Sequence, residues 1–201
     1  AKATRSALGN DMAHGYPHVF NVMRNAQQLA KNAPRGVYQR STLGALSHDV
    51  AREAETVAAS RIAGQYGGSI PNTLAARPDL MHSELGGQWM KNFLHKNRQL
   101  TKNIPGLSRS GRADLKNAIR AHDTDAWSAI PYLRRAPGQN QWIQSSPVGR
   151  NVYLADKMDA FGRTGFNRTI EMSKHYKQSP RELMQFVTNK NIPKYQNVIN
   201  T

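Results

Sequence analysis

Apolar residues recur at helical spacing along most of the chain. Val19, Val22, Met23, Ala26, Leu29 and Ala30 form one face of a helix over residues 16–33, which Pro34 and Gly36 stop. Leu43, Leu46, Val50, Ala54, Val57 and Ala58 keep the same period over 38–64, up to Gly64 and the Gly67-Gly68 turn. Leu85, Trp89, Phe93 and Leu94 predict a third helix over 81–97, and Leu115, Ile119 and His122 a fourth over 111–123. A fifth covers 151–163, and Pro180, suited to a first helical position, opens another through about 189. The stretch 131–149 holds Pro131, Pro137, Gly138, Pro147 and Gly149 and reads as a loop or lid. Alternating β-branched runs, internal repeats and low-complexity tracts are absent. The pattern predicts an all-α protein.

At 201 residues the chain suits one domain with a real core. No run of 18 apolar residues occurs, so no membrane span is expected. The segment Ala1-Lys2-Ala3-Thr4-Arg5 lacks a starting Met and an apolar signal core, reads as a processed or cut end, and favours a cytoplasmic protein. The absence of cysteine excludes disulfides, thiolate zinc sites and a cysteine nucleophile, and leaves the redox compartment open.

Charge changes the picture more. Lys and Arg number 28 against 13 Asp and Glu, a net charge of +15. Such a field attracts the phosphates of nucleotides, nucleic acid or anionic membrane, and Arg, which outnumbers Lys, suits phosphate oxygens. A basic surface serving only solubility or assembly is the plainer alternative.

Candidate chemistry lies in the histidines. His18 opens the first predicted helix, His48 is followed by Asp49 inside the second, His82 opens the third, and His122 ends the fourth. Asp156 stands in an otherwise buried helical pattern, where an ionised carboxylate is costly unless paired or bound to metal. Imidazoles and carboxylates without thiols are the ligands of a hydrolytic Mn, Fe, Co, Ni or Zn site.

These residues carry a resemblance. His18-x3-Val22-x3-Ala26, then Ala45-Leu46-Ser47-His48-Asp49, His82-x3-Gly86 and Ile119-Arg120-Ala121-His122 resemble the HD domain of metal-dependent phosphohydrolases. The string Ala155-Asp156-Lys157-Met158-Asp159-Ala160-x-Gly162-x-x-Gly165-x-x-Arg168 is similar to the ADRLDAxGxxGxxR segment of the YedJ-like group of HD hydrolases. The resemblance covers 14–168, about three quarters of the chain, and implies a single HD-domain helical bundle over 1–201, with a metal site at its centre and a helical extension over 169–201. It implies that His18, His48, Asp49 and Asp156 hold a primary metal, that Asp49 bridges to a second, and that His82 and His122 are the further ligands. A phosphate-binding role for His82 and His122 beside one metal remains the alternative, and Mg is also admitted. His14, His95 and His175 read as surface residues.

Several HD phosphohydrolases carry an acid three residues after the HD Asp, acting on the leaving group or the attacking water, where this chain has Arg52, with Glu53 next. Arg52 could clamp a phosphate; Glu53, or Glu84 beyond His82, could serve as the acid. Lys157, Arg163 and Arg168 follow Asp156 as candidate phosphate contacts, with Arg168 equally suited to an ion pair holding the Gly162–Gly165 turn. Lys91, Lys96, Arg98, Lys102, Arg109, Arg112, Lys116 and Arg120 face the single acid Asp114 across 91–120, as a solvated face or a phosphate-tracking rim. Trp127, Tyr132, Trp142 and Tyr153 could stack a base or pack the loop. The resemblance thus implies a metal-dependent phosphohydrolase acting on a nucleotide or nucleic-acid phosphoester. The alternative is a basic nucleic-acid-binding or assembly protein on the same scaffold, with little or no catalysis.

Overall fold

The computed structural model describes residues 15–52, 81–123, 146–175, 177–193 and 196. Every regular element among them is a helix: α1 (Tyr16–Leu29), α2 (Arg35–Ser47), α3 (Met81–Lys96), the single turn α4 (Arg98–Thr101), α5 (Arg109–Ala121), α6 (Pro147–Phe161), α7 (Arg163–His175) and α8 (Pro180–Phe186). A π-helical turn, Val187–Asn191, continues α8. The all-α expectation holds.

Local chemistry explains several starts. Ser108 and Ser146 each accept a backbone N–H three residues on, from Gly111 and Gly149, capping α5 and α6. Pro147 takes the first position of α6, so the expected loop over 131–149 ends before it, and this helix starts at 147 rather than 151. The Ser146 hydroxyl also donates to Asp114 at 2.7 Å, tying the start of α6 to α5. Ser179 and Glu182 form a reciprocal capping box on α8.

The second helix departs most from expectation: it ends at Ser47, not 64. The His48 imidazole donates from Nδ1 to the Ala45 carbonyl at 2.7 Å, a local bond that competes with helix continuation. The chain then turns through Val50 N–H to Ser47 O and Arg52 N–H to Asp49 O. Val50 and Ala51 stay fully buried, so the apolar period survives although the helix does not. Residues 53–64 lie outside the described part. The fourth helix ends at Ala121 by the same device, His122 Nδ1 donating to Ile119 O.

α6 is the central helix, packed against α1, α2, α5 and α7, while α3 packs on α5. Val22, Ala26, Ala45 and Ala155 form one buried cluster, and Ala118, Val148 and Val152 a second. A third, Met90, Leu94, Leu107, Leu115 and Ile119, joins α3 to α5, with Trp89 and Phe93 stacked at its edge, ring centroids 5.1 Å apart. Close approach depends on Gly44, where a Cβ would lie 2.7 Å from Val152 Cγ2 and 3.3 Å from Leu115 Cδ1. This packing brings the start of α1, the end of α2, the start of α3, the end of α5 and the middle of α6 to one buried point.

Candidate metal centre

Each imidazole reaches that point from a helix terminus. His18 and His82 stand in the first turns of α1 and α3; His48 and His122 are the C-caps of α2 and α5. Asp49 follows His48 in the turn, so the expectation that both lie inside one helix is corrected; the bend carries the carboxylate between the other groups. His48 and His82 are the most deeply buried, at 0% and 1% exposure, and Asp49 is buried with them.

Asp49 divides the cluster. Its Oδ2 lies 3.4 Å from His18 Nε2 and 3.4 Å from His48 Nε2. Asp156 Oδ1 completes this half, 3.4 Å from His18 Nε2 and 3.7 Å from His48 Nε2. The other oxygen, Oδ1, lies 3.4 Å from His122 Nε2 and 3.7 Å from His82 Nε2. Within each half the imidazole nitrogens are 3.2 Å apart (His18 and His48) and 3.3 Å apart (His82 and His122). His18, His48 and Asp49, and separately Asp49, His82 and His122, can each hold a metal ion. All six residues expected as ligands are brought together.

Hydrogen bonds fix which nitrogen faces inward. A carbonyl or carboxylate can only accept, so His48 Nδ1 donates to Ala45 O at 2.7 Å, His122 Nδ1 to Ile119 O at 2.5 Å, and His18 Nδ1 to Asp159 Oδ2 at 2.7 Å. In the neutral ring each leaves an Nε2 lone pair aimed at the cluster, as metal-ligating histidines require. His82 is held differently: the Arg52 guanidinium nitrogen Nη1 lies 2.8 Å from its Nδ1 and 2.9 Å from its Nε2.

The charges balance around the acids. Burial opposes an ionised Asp49, but His48, His122 and His18 outweigh it and hold the carboxyl well below its usual range. Burial likewise opposes Asp156, which Lys157, then His48 and His18, keep ionised. Burial works against a charged His18, yet its bonds to Asp159 and Asp49 and the charge of Asp156 raise its pKa to about 9. His122 is raised against its burial by Asp49, whereas burial lowers His48, and burial with Arg52 lowers His82 well below its usual value. Asp49 and Asp156 thus stay ionised and favour the charged forms of His18 and His122.

Two residues at the centre were given no role by sequence reasoning. Asp159 orients His18, and Arg168 donates to the same Asp159 oxygen at 2.8 Å. Its signal was an acid on the buried face that Val148, Val152 and Ala155 otherwise fill. Asp123, with Oδ2 3.6 Å from His82 Nε2, makes His122-Asp123 a second His-Asp pair at a helix end. That repeated dipeptide is visible in the sequence.

The remaining candidates fall into place around the cluster. Lys157 Nζ contacts Asp156 Oδ2 at 2.7 Å and lies over the Tyr153 ring, 5.4 Å from its centroid. Tyr153 itself is buried. Of its two suggested roles, Arg168 takes the ion pair, to Asp159. Gly165 sits so close to α6 that a Cβ would come 2.3 Å from the Ala160 carbonyl oxygen. Glu84 is engaged by Arg120 at 2.5 Å and Gln88 at 3.2 Å. His95 is exposed. Glu53, His14, Trp127, Tyr132, Trp142 and the side chains of Arg163 and His175 lie outside the described residues. No protein family, curated protein or solved structure matches the chain.

Proposed function

We propose that this chain is an HD-type metal-dependent phosphohydrolase that cleaves a phosphoester of a nucleotide or nucleic acid. The observation that carries the reading is the division of the cluster by Asp49, each oxygen of which faces its own pair of imidazole Nε2 atoms. The donor set fits divalent ions: imidazole nitrogens and ionised carboxylates, with no thiolate, suit Mn, Fe, Co, Ni or Zn. His18, His48, Asp49 and Asp156 would hold one ion; Asp49, His82 and His122 a second. Bound there, divalent ions acidify water and draw negative charge from a phosphoryl group.

The chain's own residues supply the rest. Asp159, Ala45 O and Ile119 O keep three imidazoles in one tautomer and orientation. Lys157 beside Asp156 and Arg52 beside His82 put one cation on each half, where a phosphate's charge needs neutralising. Asp123, partly exposed beside His82, is a carboxylate at the rim that can accept a proton from water.

One observation favours a second arrangement: Arg52, held against His82, puts a fixed cation beside one expected ligand. A single ion between His18, His48, Asp49 and Asp156 would leave Arg52, His82 and His122 to bind substrate phosphate. Metal analysis of protein purified without added metal, with turnover of bis-p-nitrophenyl phosphate, tests the main reading. Stoichiometric metal and metal-dependent turnover, both lost in Asp49→Ala at unchanged helix content, are expected. Full metal retention in that variant overturns the site. Metal content falling from two ions towards one in His82→Ala or His122→Ala indicates the binuclear arrangement. Unchanged content with a raised KM indicates the single ion.

A further inference from the structure

We propose that the cleft between α3 and α5 binds single-stranded nucleic acid through its phosphates and leads the strand towards the metal centre. The cleft encloses about 630 Å³. Lys91, Asn92 and His95 line it from α3, Arg98 from α4, and Arg112 and Lys116 from α5. Four are permanent cations, and no carboxylate lines the cleft among the described residues. Among the described residues, Glu84 pairs with Arg120, and Asp114 pairs with Arg40 and accepts from Ser146. Charge crowding is visible at Lys116, whose pKa is lowered by burial and by Arg120 and Lys91 against the opposing charge of Glu84. A phosphate placed among these groups would relieve that repulsion.

The position suits a strand bound for the metals. His82 at the start of α3 meets His122 at the end of α5, so the two helices run antiparallel from the metal centre. At 1.5 Å per residue, Lys91 lies about 13 Å and His95 about 20 Å along α3 from His82. Arg120, on the same helix pair, stands between the cleft and His122. The ligands at the far end are buried, and a single strand can bend its phosphate to them.

The binding does not depend on the hydrolase reading; only the clause that leads the strand to the metals rests on it. The test measures anisotropy of a labelled dT12 oligonucleotide with metal-stripped protein at 50–200 mM salt, beside a 12-base-pair duplex and phosphatidylglycerol vesicles. Wild type is expected to bind dT12 more tightly than duplex or vesicles. Arg98→Gln/Arg112→Gln/Lys116→Gln should flatten the slope of log affinity against log salt by about 2, at roughly 0.7 per phosphate contact. A charge-matched control, Lys31→Gln/Lys177→Gln/Arg181→Gln, should change that slope by less than half as much as the cleft variant does. The single reversal Arg98→Glu should weaken dT12 binding at least tenfold, so the proposal stays testable if the triple variant is poorly folded. Equal slopes in wild type and triple variant, equal affinity for duplex, or capture by vesicles in preference to dT12 overturns the proposal. Asp49→Ala should retain dT12 binding while losing metal, and the triple variant the reverse, so the two readings fail separately.

Discussion

Asp159→Asn isolates the part of the metal centre that touches no metal. Asp159 Oδ2 accepts from His18 Nδ1 at 2.7 Å, and both side chains are 3% exposed, so the bond is charge-assisted and shielded from water. The variant keeps the shape but removes the charge, and its amide can turn an N–H towards the ring. His18 would then carry its proton on Nε2, pointing at Asp49 and Asp156. Loss of such a supporting carboxylate costs 10- to 100-fold in metal affinity, about 1.4–2.7 kcal/mol. The upper end is expected here, because the bond is short and buried. Competition of stripped protein with a chromogenic chelator for Zn or Mn reads the affinity. The loss should be confined to one binding event, since His82 and His122 do not touch Asp159. Arg168→Gln, which removes one donor to Asp159 and a cation 2.6 Å from His18 Nδ1 but keeps the Asp159 carboxylate itself, should cost less. An Asp159→Asn affinity within threefold of wild type would refute the argument that this bond sets the tautomer of His18.

Stripping metal from the protein should lower its melting temperature, and saturating Mn or Zn at about a thousand times Kd should restore about 4 kcal/mol; no shift on chelation speaks against a resident ion. Gly44→Ala gains about 0.5–1 kcal/mol of helix preference but forces a Cβ to within 2.7 Å of Val152, so denaturant titration should show a net loss of about 1–2 kcal/mol. A stabilised variant would contradict the packing. In stripped protein His18, raised from 6.5 to about 9, contributes stability fully present below pH 6.5 and lost as pH rises through about 9. The gap between wild type and His18→Gln should shrink by about 3 kcal/mol over that range, and a gap that widens would reverse the assignment.

The helical class was legible from the apolar period and Asp156 from a carboxylate on a face that period makes apolar, whereas the six clustered residues as a set were legible through their resemblance to the HD pattern. The bend after Ser47 was not legible. Val50 and Ala51 continue the period, and only the bond from His48 to Ala45 O shows that the helix has stopped. Asp159 and Asp123 were written in the sequence, one on a buried stripe and one in a repeated His-Asp pair, but their partners are distant. His18 lies 141 residues from Asp159, and no spacing rule joins them. Lys157 and Arg168 were equally visible as charges, and which anion each faces is set by how α6 and α7 pack.

The two halves of the cluster become available at different stages of the chain's own synthesis. Asp49, His82 and His122 have all left the ribosome once residue 122 is out, whereas the half built on His18 and His48 waits for Asp156, and His18 waits further for Asp159. Because α6 joins α1, α2 and α5, the early ligands have no central helix to hold them until that segment arrives. An ion held by His18, His48 and Asp49 would therefore gain its fourth ligand, Asp156, and the support of Asp159 only after that assembly. A chain truncated before Pro147 would carry five of the six candidate ligands and lack the helix that aligns them.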